Sequence, residues 1–277
     1  MWIKIYGCRG SITAPRPENS FYGGNTSCFL IESGGGFLII DAGSGLFALG
    51  ADLASGRLKN MRAPLNLLLS HLHFDHLSGL AMFSPVFAAQ PSLRVYTNLR
   101  GAPPLKPLKE QVFGIFDPPY WPVALKDVAT AECVPVSADV PFTLDRFTVT
   151  PFAAAHQDDA LSFHISDGRA SLVYLLDSEL AGIGGAEAAR LSKYCGGADL
   201  VIFDAAYSHA DYAAHYRGWG HSTVREGVRR AREWRCKRML FSHFSPKYSD
   251  GEIDAWASEF DGGAEFMLAR DGMELYI

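Results

Sequence analysis

Short apolar runs recur along the chain, and each run ends close to a histidine or an aspartate. Six runs rich in Leu, Ile, Val and Phe occur at 37–40, 65–69, 147–152, 172–176, 200–203 and 239–241. The polar residues that follow them are Asp41, His71, His156, Asp177, Asp204 and His243. Runs of this length without polar alternation predict strands buried on both faces. Because open α/β sheets place their chemistry at strand carboxyl ends, the pattern predicts one shared site at one sheet edge.

Two local signals add a helix and a hairpin to these strands. Thr223 and Glu226 fit a capping box, and apolar residues follow at helical spacing, which predicts a helix directly after His221. Asp167 and Gly168 predict the turn of a hairpin between His156 and Asp177.

Residues 98–126 are rich in proline and aromatic residues and predict an irregular insertion with a short helix, near or over the site. Its aromatic side chains could stack on a nucleobase. A hydrophobic lid or a dimer contact explains the same composition equally well.

Composition narrows the class of protein. With 277 residues, 48% of them hydrophobic, residues 1–277 can form one layered α/β domain with a large core. The net charge of −5 counts against a protein that holds long nucleic acid by its phosphates, although a local basic patch stays open. The five scattered cysteines predict reduced thiols. Neither a signal peptide nor an apolar run of ~20 residues is visible, so we expect a cytoplasmic protein with no membrane partner.

The densest chemistry lies in the run His71-Leu72-His73-Phe74-Asp75-His76. Imidazole suits zinc, manganese or iron, and carboxylate suits harder ions. A strand that turns into a helix at this point can aim the first two histidines at one metal and the last two polar residues at a second. The run therefore predicts metal binding.

This run matches the His-x-His-x-Asp-His signature of the metallo-β-lactamase superfamily, which the chain resembles over nearly its whole length. The resemblance implies a four-layer αββα sandwich. It implies that one metal is held by His71, His73 and His156, and a second by Asp75, His76 and His243. Asp177 would bridge the two metals, and Asp41 would support the loop of the signature through hydrogen bonds.

Further segments are similar to ribonuclease Z and its phosphodiesterase relatives, namely 7–11, 23–28, 198–204, 220–223 and 241–248. In that branch, residues at the positions of Asp204 and His221 cooperate near the scissile phosphate. Two departures count against tRNA processing. Ribonuclease Z usually has Glu in place of Asp204, and the stretch between His156 and Asp177 is too short for its tRNA-clamping arm.

The resemblance implies hydrolysis of a small phosphodiester, such as a nucleotide or a cyclic nucleotide. Two divalent metal ions would activate water, with zinc favoured and manganese or iron left open. His221, oriented by Asp204, would donate a proton to the leaving oxygen. Asn25 and Ser245 are candidates for phosphate contact, and Tyr207 is a candidate to line the pocket.

Several alternatives remain at this point. A ribonuclease Z-like RNA endonuclease, or a thioester or lactam hydrolase, would use the same metals on the same fold. A redox relative with two irons typically has a carboxylate in place of a signature histidine, whereas this chain keeps all three histidines. A non-catalytic interaction protein would tolerate ligand loss, and the ligand set is complete. Relatives are often dimers, so a homodimer is also left open.

Overall fold

Two seven-stranded sheets form the centre of the computed structural model, which describes residues 1–90, 92–99, 106–157 and 159–277. The strands in chain order are β1 Trp2–Gly7, β2 Cys28–Ser33, β3 Gly36–Ile40, β4 Leu65–Leu68, β5 Leu93–Thr97, β6 Glu132–Pro135, β7 Phe142–Leu144, β8 Phe147–Ala153, β9 Leu161–Ser166, β10 Ser171–Leu175, β11 Leu200–Asp204, β12 Arg238–Ser242, β13 Glu265–Leu268 and β14 Glu274–Tyr276.

The two sheets share one pairing pattern. The first has the order β14-β1-β2-β3-β4-β5-β6, and the second has the order β7-β8-β9-β10-β11-β12-β13. In each order the first three pairings are antiparallel and the last three are parallel. Strands β3 and β10 therefore occupy equivalent places, as do β4 and β11.

Helices cover the outer face of each sheet. They are α1 Gly45–Ala54, α2 Phe74–Leu77, α3 Leu108–Phe113, α4 Leu125–Val128, α5 Gly185–Cys195, α6 His209–Asp211, α7 Val224–Trp234 and α8 Asp250–Ala255. Short 3₁₀ turns lie at Pro17–Asn19, Ser78–Met82, Ser84–Phe87 and Trp256–Glu259, and a π-helical turn lies at Tyr212–Tyr216. In the part of the chain that the structure describes, no helix is both long and apolar enough to cross a membrane.

The apolar core has two parts because strand side chains alternate between the two faces of a sheet. In β2, Phe29 and Ile31 join the core between the sheets, whereas Leu30 packs under the helices outside the first sheet. Leu46 of α1 belongs to that outer core. Val228 of α7, a helix that contacts β11 and β12, belongs to the same cluster as the core between the sheets. The order of layers is helix, sheet, sheet, helix, so the predicted αββα sandwich is confirmed.

All six predicted strands are present, as β3, β4, β8, β10, β11 and β12. The prediction of one sheet edge is wrong, because β3 and β4 belong to the first sheet and the other four strands to the second. Apolar runs indicate burial but carry no information about which strands pair. The polar residues meet across the edge of the sandwich.

Both local signals are borne out, one of them with a change. Asp167 and Gly168 lie in the turn of the β9–β10 hairpin. At the start of α7, the Thr223 hydroxyl accepts a hydrogen bond from the Glu226 amide at 3.2 Å. The Glu226 carboxylate instead accepts hydrogen bonds from the exposed Arg229 and the buried Arg230.

The described part of the 98–126 region lies mainly outside the first sheet. Phe113 of α3 and Phe116 after it are buried in the outer core, which makes these two rings unavailable for stacking on a base. Asn98 reaches toward the site, where its amide donates to the Asp159 carbonyl at 2.5 Å. Pro103 and Pro104 of the predicted insertion lie outside the described residues.

Candidate metal centre

Three of the strand-end residues have a left-handed backbone. The φ angles are 58° at Asp41, 50° at Asp177 and 68° at His243, directly after β3, near the end of β10 and after β12. Residues other than glycine adopt this region rarely, and its cost is typically balanced by surrounding structure at functional sites. The turn at each strand end aims a polar side chain at the edge of the sandwich.

One group of side chains converges around the second oxygen of Asp177. His76 Nε2 lies 3.1 Å from Asp177 Oδ2 and 3.3 Å from Asp75 Oδ2. His243 Nε2 lies 3.2 Å from Asp75 Oδ2 and 3.4 Å from Asp177 Oδ2. All four side chains are buried. Asp75, His76 and His243 form a group able to hold a metal ion, and Asp177 Oδ2 lies beside it.

A second group converges on the first oxygen of Asp177. Asp177 Oδ1 lies 3.8 Å from His71 Nε2 and 3.9 Å from His156 Nε2. The ring of His73 lies 4.3 Å from the ring of His71 and 5.2 Å from that of His156, measured between centroids. These four residues also form a group able to hold a metal ion. The carboxylate of Asp177 thus points one oxygen at each group.

The hydrogen bonds of the histidines fit cation binding. His71 Nδ1 lies 3.0 Å from the Ser70 hydroxyl, and His156 Nδ1 donates to the Gly220 carbonyl at 3.0 Å. The Nε2 atoms of His71 and His156 are buried and have no hydrogen-bond partner. Burial lowers the pKa of both histidines, which favours neutral rings with a free Nε2 lone pair. Imidazole and carboxylate donors in this arrangement suit zinc, and also manganese or iron.

Asp41 supports the run from His71 to His76 through hydrogen bonds. Its carboxylate accepts hydrogen bonds from the amide and hydroxyl of Ser70, at 2.8 and 2.9 Å, and from Tyr174 Oη at 2.5 Å. His76 Nδ1 lies 2.7 Å from Asp41 Oδ2. The fully buried carboxylate therefore fixes the ring of His76 with Nε2 toward the centre.

The first loop of the chain also supports the centre, a contribution the sequence analysis did not assign. The Ser11 amide donates to Asp75 Oδ2 at 2.6 Å. A Cβ atom at Gly10 would lie 2.5 Å from the ring of His243, and one at Gly220 would lie 2.2 Å from His156 Nδ1. Only glycine lets these two loops approach the imidazoles so closely.

His221 and Asp204 form a pair beside the two groups. His221 Nδ1 lies 2.8 Å from Asp204 Oδ2, while Asp204 Oδ1 accepts from the amides of Ala206 and Ser222 at 3.0 and 3.1 Å. The ring of His221 stacks on that of His243 at 5.1 Å. Burial disfavours its charged form, but the carboxylates of Asp204, Asp177 and Asp75 outweigh burial and raise the pKa of His221 to about 9.

His221 also belongs to a third group able to hold a metal, with Asp177, Asp204 and His243. The bond to Asp204 occupies His221 Nδ1, however, so this nitrogen cannot serve a cation at the same time. Cations bound by Asp75 and Asp177 would weaken the pull of those carboxylates on His221, leaving Asp204 as its main partner. In this third group, Asp204 therefore competes with a cation for His221 Nδ1.

Glu179 is a functional candidate that sequence reasoning missed. Its carboxylate accepts hydrogen bonds from the amides of Gly218 and Gly220, at 2.7 and 2.9 Å, and from Tyr212 Oη at 2.5 Å. Gly220 in turn binds His156 through its carbonyl. Glu179 thus ties the loop that precedes His221 to the strand end that carries Asp177. In the sequence, its position two residues after Asp177 could have marked it as a candidate.

The three candidates for substrate contact differ in their surroundings. Both ends of the Asn25 amide form hydrogen bonds, with Asp271 Oδ2 at 3.0 Å and with the Ser44 hydroxyl at 3.2 Å. Asn25 therefore supports the scaffold, and its contact with phosphate stays a prediction. Tyr207 packs edge-on against His221 at 5.7 Å. Ser245, just after His243, is buried, and its amide donates to the Ala206 carbonyl at 3.1 Å.

The five cysteines are all unpaired, and only Cys133 is not fully buried. Burial raises the pKa of Cys8, Cys28 and Cys195 well above the usual range, as expected of inert core thiols.

Comparison with known proteins gives matching sequences and folds. A model described as the beta-lactamase superfamily domain matches residues 37–244. The chain is 26% identical to the uncharacterized protein Rv1339 of Mycobacterium tuberculosis, over 99% of this chain and 92% of that protein. It is 25% identical to ribonuclease Z of Bradyrhizobium diazoefficiens, over 84% of this chain and 88% of the relative. The metallo-beta-lactamase fold protein YhfI from Bacillus subtilis has a similar structure, with a TM-score of 0.68, 20% identity and coverage of 99% and 98%.

Proposed function

The chain belongs to the beta-lactamase superfamily, a family composed mostly of metal-dependent hydrolases, and from this premise we propose that it hydrolyses a small phosphodiester such as a nucleotide or a cyclic nucleotide. Two divalent cations, with zinc favoured, would be held by the two groups that share Asp177. His71, His73 and His156 would serve the first cation, and Asp75, His76 and His243 the second.

The hydrogen bond between His221 and Asp204 is the observation that carries this proposal. A metal centre of this kind needs neither residue to complete its ligands, yet His221 stacks on His243 beside it and its partner Asp204 is fully buried. A leaving alkoxide needs a proton, and the Asp204 carboxylate beside His221 favours the protonated imidazole that can supply it. The pair therefore suits a reaction in which a poor leaving oxygen departs.

The roles of the side chains follow from their positions. Bound cations would supply Lewis acidity and lower the pKa of a water molecule toward ~7. The water would release one proton to solvent before its oxygen bonds to phosphorus. As the bond to the leaving oxygen breaks, His221 would pass the proton on Nε2 to that oxygen. Asp204 holds Nδ1 and stabilises the charged ring before transfer. Asp41 and Gly220 keep His76 and His156 turned toward the centre.

A small substrate is favoured over RNA for two reasons. The net charge is −5, and the β9–β10 hairpin between His156 and Asp177 offers no basic arm among the described residues. The similarity to a relative named ribonuclease Z keeps an RNA endonuclease as the second candidate. Thioester hydrolysis would not call for His221, because a thiolate departs without a proton donor.

We further propose that the protein works in the cytoplasm, on the support of its unpaired cysteines. A homodimer is proposed on family resemblance alone.

A substrate panel tests the function. Metal-reconstituted protein would be assayed with bis(p-nitrophenyl) phosphate, cyclic mononucleotides, cyclic dinucleotides, short RNA, a thioester and a β-lactam. We expect hydrolysis of the phosphodiesters, with small ones cleaved faster than RNA. Turnover of only the thioester or the β-lactam would exclude the phosphodiesterase assignment.

A further inference from the structure

A continuous series of aromatic rings leads from His221 to the protein surface. Tyr207 packs edge-on against His221 at 5.7 Å, and Tyr216 stacks on Tyr207 at 4.0 Å with ring planes 7° apart. Trp219 packs edge-on against Tyr216 at 5.3 Å. We call Tyr207, Tyr216 and Trp219 the aromatic shelf. Its exposure rises along the series, from 7% at Tyr207 to 59% at Trp219.

The exposed indole stands on a fixed backbone. Glu179 accepts hydrogen bonds from the amides of Gly218 and Gly220, the two residues that flank Trp219. The Trp219 amide donates to the Tyr216 carbonyl at 3.1 Å. A large apolar ring that is held in place and yet left in water contributes little to folding, because its area is not buried. Such a ring is suited to a ligand that covers it.

A positive charge beside the shelf is already paired with a carboxylate. Lys247 Nζ lies 5.1 Å from the ring of Tyr216, but Asp211 Oδ2 pairs with it at 2.9 Å. A planar aromatic group stacks on such a surface with little dependence on its substituents. The anionic part of the same ligand would lie at the other end of the series, beside His221 and the metal centre.

We propose that the aromatic shelf binds the base of a nucleotide whose phosphate lies at the metal centre, with Trp219 as the main stacking surface. This inference rests on the proposed function, because it identifies the group attached to the phosphorus as a nucleoside. It makes Trp219 a residue that determines specificity rather than a catalytic residue.

Direct binding tests the shelf without requiring turnover. Affinities of metal-reconstituted protein for AMP and for ribose 5-phosphate, which carries the same phosphate on the same sugar without a base, would be measured by calorimetry. We expect the wild type to bind AMP more tightly. Trp219→Ala should weaken AMP binding by about 5- to 150-fold and leave ribose 5-phosphate unchanged, since one stacked base contributes an affinity of that order.

Two further variants make the result specific. Trp219→Phe should restore most of the AMP affinity, because it keeps an aromatic face. Tyr120→Ala removes a ring that is 89% exposed in the α3–α4 connection and should change neither affinity. Equal wild-type affinities for AMP and ribose 5-phosphate, or equal losses for both in Trp219→Ala, would refute the proposal that the aromatic shelf binds the base.

The same proteins separate this inference from the proposed function. If AMP binding depends on Trp219 but no phosphodiester is hydrolysed, the shelf stands and the proposed reaction fails. If bis(p-nitrophenyl) phosphate is hydrolysed but AMP binding does not depend on Trp219, the reaction stands and the shelf fails.

Discussion

Asp41 and Asp177 occupy equivalent places in the two sheets but have opposite surroundings. Asp41 follows β3 and Asp177 follows β10, the fourth strand in each sheet order, and both have a left-handed backbone. Asp41 is surrounded by hydrogen-bond donors, from Ser70, His76 and Tyr174. Asp177 is surrounded by imidazole nitrogens, at 3.1–3.9 Å.

The comparison shows that backbone placement and chemical role are separate properties. The same strand-end turn supplies a scaffold carboxylate in one sheet and a candidate bridging ligand in the other. The neighbours decide which it is, because a carboxylate satisfied by donors has no lone pair directed at a cation, whereas one facing imidazole lone pairs does. A third strand end, at Asp204, provides a carboxylate that holds His221 Nδ1.

The largest effect is expected from Asp177→Ala. Both groups lose a ligand, so metal content should fall by at least about half and phosphodiester turnover should fall to background. Elemental analysis of protein dialysed against metal, together with the bis(p-nitrophenyl) phosphate assay, measures both. Full metal content in this variant would contradict a bridging Asp177.

His221→Ala should separate metal binding from turnover. We expect kcat to fall by about 10²- to 10⁴-fold with the metal content unchanged, because a general acid is lost and no ligand is. His209→Ala, which removes an exposed histidine from α6, is the matched control and should behave as wild type. Loss of metal in His221→Ala would make His221 a ligand and refute its assigned role.

Asp41→Asn tests the other side of the comparison. The new amide group places a donor against existing donors. The free energy of unfolding, measured with urea in EDTA, should therefore fall by at least about 1.5–3 kcal/mol. Metal affinity should also weaken, by about 10- to 100-fold, because the ring of His76 is no longer held. A variant as stable as wild type would show that Asp41 is not a structural hub.

Glu179→Ala should slow turnover without releasing metal. We expect kcat on bis(p-nitrophenyl) phosphate to fall by about 10-fold, since the loop that carries His221 loses charge-assisted hydrogen bonds. Glu179→Gln keeps one acceptor oxygen and should recover part of the loss, a pattern that general destabilisation would not produce. Unchanged kcat in the Ala variant would rule out a positioning role.

The smallest effect is expected from a substitution of Asp52, which is distant from the metal centre in sequence and in its contacts. Burial raises its pKa, but hydrogen bonds from Lys4, Arg57 and Tyr6 outweigh burial and lower the pKa to about 2. A lowered folded-state pKa stabilises the protein above the ordinary value near pH 4, and this contribution is lost as the pH falls toward 2.

Asp52→Asn should therefore lower the free energy of unfolding by about 1 kcal/mol at pH 7 and by almost nothing near pH 2. The effect at pH 7 is small because water screens the exposed Arg57. Urea unfolding across this range measures the difference. Metal content and turnover at pH 7 should not change, and a fall in either would mean that Asp52 is coupled to the centre.

The sequence alone determined the local features of this protein. The six apolar runs became strands because burial on both faces requires continuous apolar residues, and Thr223 began α7 because its hydroxyl caps the first turn. The run from His71 to His76 indicated metal binding because four candidate ligands lie within six residues of sequence.

Tertiary structure decided everything that depends on distant pairing. It assigned the strands to two sheets and buried Phe113 and Phe116 in the outer core. It brought the side chain of Asn25 into a hydrogen bond with Asp271. It also brought Glu179 to the loop before His221 and lined up the aromatic shelf. A single sequence encodes burial and local hydrogen bonds residue by residue, but contacts between distant segments form only when the whole core packs.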